Sequence, residues 1–354
     1  MKALILTSTI SPDVKAGVET YTEQLKKAFP GSQAIGIENA GNAPLGWATP
    51  IKEPMRALAV CRHVNENAGG LDADAIITHG MYGWALDRKK LGIPVINVSH
   101  GTFAGLAMAA IPKSSAEYYR TGLIYSRFEK KSAQNADAVV SNSKFTQGMN
   151  KMHYGIDSVV IHNAVDTRIF RPVKKKAARK KLGMNASKPI GLFVGRQEHQ
   201  KGFDVLEQIA NQMPGTDFIS VTFPRTATGI GNIIPAGPLG SEELALHYCA
   251  ADFLVFPSRF EGFGFVIAES LACNTPVVCS DVGIAREISP EGLFVAKTFE
   301  PAEWVEQIQM AMQGKENVAP RKFIEKNFNE ALFCKKFTSL AKELREASKG
   351  AGSP

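Results

Sequence analysis

The sequence has 354 residues, more than one hydrophobic core usually supports, so two domains are expected. Hydrophobic residues make up 44% and charged residues 21% of the chain, as in ordinary soluble globular proteins, and no run approaches the roughly 20 apolar residues that span a bilayer. The five cysteines are scattered and odd in number, which argues against a disulfide framework or a zinc site and favours a reducing, cytoplasmic compartment.

The net charge of +7 arises in one short segment of the chain. Eight basic residues and no acidic residue lie between Arg168 and Lys181, and without them the basic and acidic residues almost balance. Two interpretations stay open for this segment: a solvated linker helix, or a contact with an anionic acceptor or membrane. Nucleic acid is not an expected partner, because no recognised binding motif accompanies the charge.

Short apolar runs alternate with amphipathic stretches in the first half of the chain, as in βαβ units with a mostly parallel sheet. The apolar run 3–7 predicts a buried first strand, because it is too short for the apolar region of a signal peptide. A helix is predicted from about Val18 to Phe29. Further strands are predicted at 75–78, 94–99 and 138–141.

Residues 115–134 predict an amphipathic helix with basic residues around its apolar stripe. Tyr119, Leu123 and Phe128 recur at helical spacing, which is typical of a surface helix packed on a sheet. A basic amphipathic helix can also lie on a membrane, so peripheral contact with the inner membrane face is the alternative to a purely cytoplasmic location. For the basic segments 113–131 and 168–181, contact with a membrane and contact with an acceptor both stay open.

A second series of strands follows the basic segment. The predicted strands, all at βα spacing, are 189–195, 217–222, 253–256, 275–279 and 293–295. They place an N-terminal domain at about 1–165 and a C-terminal domain at about 170–328. The final helix, about 329–347, can pack on either domain.

Two cations follow the first strand of this second series. The strand delivers Gly195, and Arg196 and Lys201 then flank the predicted opening of a helix. Arginine offers a planar fork to phosphate oxygens and lysine a mobile point charge, so the two together can neutralise a diphosphate. The helix N-terminus would add backbone N–H donors and a positive dipole end. The alternative is that both cations are solvated surface residues.

Two glutamates, Glu261 and Glu269, form a pair eight residues apart near a predicted strand end. Gly262, Phe263 and Gly264 follow the first glutamate, and glycines let backbone N–H groups approach a ligand closely. The second glutamate falls in a predicted helix about two turns further on. Because a carboxylate accepts several hydrogen bonds, this pair suits an elongated ligand with a sugar at one end and a ribose at the other.

Candidate site residues also occur in the first half of the chain. His100 follows the predicted strand 94–99 and can donate to a sugar hydroxyl or a phosphate; His79 occupies a similar place after another strand. Gly17 lies in the loop that leads into the first helix, where a second helix N-terminus can face a phosphate. For each of these residues a purely structural role is the alternative.

Taken in order, these features resemble the retaining GT-B glycosyltransferases of family 4, also called glycosyl transferases group 1, over nearly the whole chain. The features that carry the resemblance are the Gly17 loop, His100, residues 141–143, residues 162–166 with 170–172, the Arg196/Lys201 pair and the Glu261/Glu269 pair. The most specific part runs from 250 to 258 and through 276–278. The implied fold is α/β, with two Rossmann-like domains whose parallel sheets face an interdomain cleft.

The resemblance implies a hexosyl transfer from a UDP-, GDP- or ADP-sugar to a glycan, a lipid-linked glycan or a small molecule, without metal or other cofactor. By resemblance, Arg196 and Lys201 bind the diphosphate and take up the charge of the leaving group. Glu261 and the backbone of 262–264 would hold the transferred sugar, and Glu269 the ribose.

The remaining implied roles fall to three residues: His100 would touch the sugar or a phosphate, the Gly17 loop would complete the phosphate site, and the backbone near Leu239 would recognise the base. The sequence 220–226 departs from the Gly-rich turn usual in the family, so the base stays open. The pair Asp72 and Asp74 precedes a strand, and we interpret it as a turn rather than a metal site. A nucleotide-sugar epimerase and a catalytically inactive nucleotide-binding protein are the alternative functions.

Overall fold

The computed structural model describes residues 1–10, 17–41, 50–185, 187–222, 228–314 and 319–350. The chain divides into two compact units, Met1–Ala164 together with Glu330–Pro354, and Val165–Asn329.

Each unit contains a six-stranded parallel sheet. The strands of the first unit are β1 (Ala3–Leu6), β2 (Gln33–Ile35), β3 (Ala75–His79), β4 (Val95–Ser99), β5 (Ala138–Ser141) and β6 (Val159–Val160). The strands of the second unit are β7 (Ile190–Val194), β8 (Asp217–Val221), β9 (Ile233–Pro235), β10 (Phe253–Phe256), β11 (Val277–Ser280) and β12 (Leu293–Ala296). Their orders are β2-β1-β3-β4-β5-β6 and β12-β11-β10-β7-β8-β9, so the α/β prediction is confirmed.

Helices connect most of the consecutive strands, as is usual for parallel strands joined by crossovers. The α-helices of the described residues are α1 (Gly17–Ala28), α2 (Ile37–Ala40), α3 (Lys52–Glu66), α4 (Arg88–Leu91), α5 (Phe103–Ala110), α6 (Ala116–Tyr119), α7 (Ser126–Gln134), α8 (Lys144–Met149), α9 (Lys175–Lys181), α10 (Phe203–Gln212), α11 (Ser241–Ala250), α12 (Phe265–Ala272), α13 (Pro301–Gln313), α14 (Arg321–Asn327) and α15 (Glu330–Gly350). A π-helical segment, Arg120–Tyr125, joins α6 to α7, so the predicted helix 115–134 is one helical stretch with a π turn.

The first sheet is covered on both faces, which explains why its central strands are continuous apolar runs rather than alternating ones. On one face Tyr21 of α1 packs with Phe333 and Phe337 of α15. On the other face Val60 and Val64 of α3 close a second cluster. Within the described residues, no helix combines the length and hydropathy needed to cross a bilayer.

The second sheet is also buried on both faces. Helices α10 and α13 cover one face, with Leu206 and Trp304 fully buried there. Helices α11, α12 and α14 cover the other, with Tyr248 and Leu271 in its core. Since both faces are occupied, ligands can approach this sheet only at its edges or strand ends, where parallel α/β sheets bind them.

Helix α15 returns to the first unit. Beyond its aromatic contacts with α1, Glu330 forms an ion pair with Lys27 at 2.6 Å, and Arg345 forms one with Asp74 at 2.6 Å. The C-terminal helix therefore belongs to the N-terminal sheet, although it follows the second sheet in sequence.

The basic segment 168–181 is only partly a solvated linker. Arg179 is buried at 4% exposure and bonds Asp252 at 2.8 Å, while Lys175 bonds the other oxygen of the same carboxylate. Arg179 also donates to the backbone oxygen of Ala250. Because these two cations hold α9 against α11, that part of the linker interpretation is wrong: the helix is built into the second unit.

Glu129 lies buried inside the first unit. Its Oε2 accepts hydrogen bonds from Tyr154 Oη at 2.5 Å and from the N–H of Phe103 at 2.8 Å, so it fixes the start of α5. Burial raises the pKa of Glu129 to about 7.

Glu129→Gln should therefore change the pH dependence of stability. A carboxyl whose pKa is raised from 4.5 to about 7 on folding holds a proton more tightly in the folded state than in the unfolded state. The free energy of unfolding therefore falls as the pH rises through that range. A glutamine keeps the acceptor oxygen and stays neutral. We expect the variant to exceed the wild type by about 1–3 kcal/mol in free energy of unfolding at pH 8, and by little at pH 5. Urea unfolding at both pH values, with exposed Glu346→Gln as control, measures this; an equal difference at both would contradict it.

Candidate active site

The loop after β7 carries the two cations singled out in the sequence, and the loop after β10 carries Glu261 and leads into α12, which carries Glu269. These strands are neighbours in the second sheet, so their carboxyl ends lie side by side. The backbone joins the two loops directly, since the N–H of Arg259 donates to the oxygen of Gln200 at 2.8 Å. Residues some 60 apart in sequence are thereby brought into one site.

Lys201 and Glu261 are in direct contact. Lys201 Nζ lies 2.6 Å from Glu261 Oε1, and Ser258 Oγ donates to the same oxygen at 2.9 Å. Both side chains are mostly buried, with 19% of the lysine and 14% of the glutamate exposed. Such a pair is held more firmly than a surface ion pair, because little water competes for it.

Gly202 sets the position of Lys201. Its φ is +70°, a left-handed conformation, and a Cβ built there would lie 1.9 Å from the backbone oxygen of Pro257. Glycine is therefore required for two reasons, the backbone conformation and the close approach of the loop that carries Glu261.

Gly202→Ala is expected to destabilise the protein and to damage the site, because the Pro257 backbone must move away. We expect a loss of about 2–4 kcal/mol in free energy of unfolding, together with loss of turnover. Gly183→Ala is the matched control: Gly183 has φ +66° but no neighbour within 4 Å of a built Cβ. In chemical unfolding, Gly183→Ala should lose only what the backbone strain costs, about 1–2 kcal/mol, whereas Gly202→Ala should lose more because of the clash. Equal losses of free energy of unfolding in the two variants would contradict the role given to Gly202.

Arg196 contacts a different carboxylate from that of Glu261. Its side chain is 56% exposed and bonds Glu198 at 3.1 Å. Lys201 belongs to a 3-10 turn, His199–Lys201, and α10 begins only at Phe203. Arg196 therefore precedes this turn and Lys201 ends it, and neither cation lies at the first residue of the helix.

The glycine loop after Glu261 is hydrogen-bonded to the turn that follows β11. The N–H of Ile284 donates to the oxygen of Phe263 at 2.9 Å, and a Cβ on Gly283 would lie 2.3 Å from that oxygen. Gly264, with φ +88°, is the N-cap residue of α12. Sequence reasoning missed Gly283 and Ile284; the available signal was a glycine shortly after the strand β11.

Glu269 lies in α12 and is held by a residue that sequence reasoning missed. Tyr248 of α11 donates to Glu269 Oε2 at 2.9 Å, and burial raises the pKa of Glu269 to about 7. Leu239, between β9 and α11, packs partly buried against the same core. The sequence departure at 220–226 falls largely on residues 223–227, which lie outside the described residues.

His100 and Gly17 belong to the first unit. His100 Nε2 lies 2.7 Å from His79 Nδ1, and the edge of the Tyr21 ring packs against both imidazoles. Burial lowers the pKa of His100 to about 4 and that of His79 well below its usual value. Gly17 is exposed at the start of α1, and the preceding residues 11–16 of its loop are not among the described ones.

The aspartates that a metal site would use are engaged elsewhere. Asp72 pairs with Lys2, and Asp74 pairs with Arg345. Both precede β3, as predicted from the sequence. Within the described ranges, no group of three or more histidine, cysteine, aspartate or glutamate residues is placed to hold a metal ion.

Two family sequence models match the chain. The model described as Glycosyltransferase Family 4 matches residues 29–169, and the model described as Glycosyl transferases group 1 matches residues 188–313. The two matches span most of the chain and fall on the first and second sheets respectively.

The curated relatives are also named as glycosyltransferases. The chain is 28% identical over 353 residues to the D-inositol 3-phosphate glycosyltransferase of Segniliparus rotundus, covering 88% of this chain and 76% of the relative. It is 30% identical over 267 residues to the protein of the same name from Geodermatophilus obscurus, covering 67% of this chain but only 58% of that relative.

Solved structures share the architecture. Sucrose-phosphate synthase from Thermosynechococcus elongatus superposes with a TM-score of 0.82 at 21% identity, covering 98% of this chain and 99% of that one. Anabaena HepE in complex with UDP-glucose gives a TM-score of 0.75 at 18% identity, covering 97% of this chain and 100% of that one. The two parallel sheets and these neighbours show the GT-B fold. The chain belongs to the glycosyltransferases of family 4, within glycosyl transferases group 1.

Proposed function

We propose that this glycosyltransferase moves a hexose from a nucleotide-diphosphate sugar to an acceptor hydroxyl with retention of configuration and without a metal ion. The observation that carries the proposal is the Lys201–Glu261 contact, a cation and an acceptor group 2.6 Å apart at neighbouring strand ends. Glu269 lies two turns into the helix that follows the same loop. Glu261, Lys201 and Glu269 thus offer partners for the sugar, the diphosphate and the ribose, the order in which these groups follow one another along such a donor.

Lys201 and Arg196 neutralise the diphosphate as the bond from the anomeric carbon to its oxygen breaks. Preorganised cations of this kind are the strongest means of stabilising a leaving group, since no reorganisation is needed when charge develops. The acceptor oxygen attacks from the same face, and its proton passes to the departing phosphate oxygen. One glycosidic bond is formed, one sugar–phosphate bond is broken, and no protein nucleophile is used.

The carboxylates bind the hydroxyls of the donor. Glu261 has lone pairs to spare beyond Lys201 and Ser258, so it can accept from sugar hydroxyls without releasing the lysine. Glu269, whose pKa is about 7, takes the ribose hydroxyls. Hydrogen bonds to its ionised form then lower that pKa again, so donor binding and deprotonation of Glu269 reinforce each other.

The comparisons favour particular donor and acceptor classes for the first tests. HepE is solved with UDP-glucose, which supports a uridine diphosphate donor among the three bases considered. The curated relatives are named for D-inositol 3-phosphate, which supports a small phosphorylated acceptor.

A lipid-linked acceptor, with peripheral membrane contact, is favoured by a separate observation. Among the described residues, the large hydrophobic side chains that are more than half exposed all lie in the first unit, in the stretch from α5 to β6: Met108, Tyr119, Leu123 and Met152. Exposed Lys113 and Arg127 lie in the same stretch. Apolar and basic groups together suit an anionic bilayer surface. Sedimentation with phosphatidylglycerol vesicles, against phosphatidylcholine vesicles, tests this contact.

A donor screen tests the proposal at its first step. Thermal unfolding is measured with UDP-glucose, UDP-N-acetylglucosamine, GDP-mannose and ADP-glucose, each at several concentrations. A ligand that binds only the folded state raises the Tm as its concentration rises. The expected result is a shift for one base, lost in Lys201→Ala. No shift with any of the four would contradict a nucleotide-sugar donor.

Product analysis decides among the functions. The responding donor is incubated with D-inositol 3-phosphate or with a lipid-linked glycan, with and without EDTA, and the anomeric proton of the product is observed by NMR. We expect a retained configuration and turnover that survives EDTA. Isomerised donor in the absence of acceptor would instead indicate an epimerase. Binding with no turnover against a wide acceptor set would indicate an inactive nucleotide-binding protein.

A further inference from the structure

A chain of buried hydrogen bonds in the first unit ends at His100. Thr22 Oγ1 lies 2.9 Å from the backbone oxygen of Val18 and 3.2 Å from His79 Nε2. His79 Nδ1 in turn lies 2.7 Å from His100 Nε2. Thr22 and His79 are buried at 6% and 4% exposure, so water does not compete for these contacts.

The direction of this chain follows from counting protons. Thr22 has one hydroxyl proton, and its shorter contact is the hydrogen bond that the hydroxyl donates to the Val18 oxygen. The contact with His79 is then made by a proton on Nε2. A neutral imidazole has one N–H, so His79 Nδ1 is an acceptor, and the proton between the two rings belongs to His100 Nε2.

The opposite direction makes one hydrogen bond fewer. If Thr22 donated to His79, its bond to Val18 would be lost, and every proton in the chain would move by one position. Both imidazoles are neutral near pH 7, because burial lowers the pKa of each. The hydroxyl of Thr22 therefore determines which ring nitrogen of His100 carries the proton, although Thr22 contacts His100 only through His79.

We infer that Thr22 and His79 are positioning residues that hold His100 in the tautomer whose Nδ1 accepts a hydrogen bond. No hydrogen bond to His100 Nδ1 is formed within the described residues. An unprotonated Nδ1 can accept a hydrogen bond from a sugar hydroxyl, but it has no proton to donate to a phosphate oxygen. Of the two roles expected for His100, only the contact with a sugar hydroxyl is compatible with this tautomer. This step rests on the proposed function; the tautomer itself does not.

Histidine tautomers can be read in the ligand-free protein by NMR of ¹⁵N-histidine-labelled samples, through couplings between ring nitrogens and carbon-bound protons. His100→Gln serves only to assign the His100 signals. In the wild type, both His79 and His100 are expected to carry the proton on Nε2. Thr22→Val removes the hydroxyl at nearly constant volume, and we expect both rings to switch to the Nδ1-protonated form. Thr22→Ser should restore the wild-type tautomers.

Kinetics with UDP-glucose as donor connect the tautomer to the reaction. Thr22→Val should lower kcat/KM by about tenfold, the value of one hydrogen bond, while the affinity for UDP alone stays unchanged. Thr338→Val is the matched control, because Thr338 Oγ1 makes the same bond to the backbone four residues earlier, at 2.9 Å, on α15. It should change neither the tautomers nor kcat/KM.

If Thr22→Val does not fold, two substitutions of His79 replace it. In His79→Asn the amide oxygen can take the place of Nδ1 as acceptor, so His100 should keep its tautomer. In His79→Leu no acceptor remains, and His100 should be a mixture of both tautomers. A wild-type His100 protonated on Nδ1, or tautomers unmoved by Thr22→Val, would overturn the inference. Inverted tautomers with unchanged kcat/KM would overturn the sugar contact. Wild-type protein that does not turn over UDP-glucose would count against the proposed donor, while the tautomer measurement would still stand.

Discussion

Lys201→Ala is expected to lower kcat about a thousandfold while leaving the fold intact. The mostly buried ammonium of Lys201 is the cation placed beside Glu261, and removing one preorganised group that stabilises developing charge typically costs this much. Affinity for UDP should fall as well, because the diphosphate is common to donor and product. Turnover and UDP binding are measured by product analysis and calorimetry, and the fold by circular dichroism.

Lys188→Ala is the control for this prediction. Lys188 also pairs with a carboxylate in the second unit, that of Asp217, but away from the strand ends that carry the candidate site. Its removal should leave kcat within about twofold, as expected for an isolated ion pair of little energetic weight. Near-normal turnover in Lys201→Ala would show that the diphosphate is held by other groups.

Glu261→Gln should separate sugar binding from nucleotide binding. The amide keeps the shape of the side chain but accepts fewer hydrogen bonds and loses the charge that faces Lys201 and Ser258. We expect kcat to fall at least about a hundredfold. The affinity for UDP-glucose should fall, and the affinity for UDP should not. Glu261→Ala should abolish transfer.

Glu325→Gln, at a carboxylate paired with Arg321 in α14, is the matched control and should leave all three values unchanged. A Glu261→Gln variant that loses UDP affinity as much as UDP-glucose affinity would place this carboxylate on the nucleotide rather than on the sugar. Lys201→Ala should lose affinity for UDP, whereas Glu261→Gln should lose affinity for UDP-glucose alone. A general folding defect would lower both affinities in both variants.

The sequence predicted the buried strands and the edge strand β12, but it missed the other three edge strands. Strands β1, β3, β4, β7 and β10 are central and buried on both faces, so each is a continuous apolar run with a clear signal. The strands β2, β6 and β9 lie at sheet edges, are only two or three residues long and are partly exposed, so their apolar signal is too short. Their pairing is set by the neighbouring strand rather than by their own residues, and they were not predicted.

The site residues were predicted individually, but their contacts were not. Lys201 and Glu261 were assigned to separate ligand groups, whereas the adjacency of β7 and β10 brings their side chains together. Tyr248, which binds Glu269, lies on another helix with no motif of its own. Likewise, the hydrogen bond from His79 to Thr22 joins residues 57 apart, a relation no local pattern encodes.

A structure of the protein with bound UDP-glucose tests the account most directly. We expect the two phosphates to lie against the side chains of Lys201 and Arg196, the glucose hydroxyls on the Glu261 carboxylate, and the ribose hydroxyls on Glu269. Nucleotide bound away from the loops that follow β7 and β10, or bound there with both carboxylates turned towards solvent, would contradict the proposed mechanism.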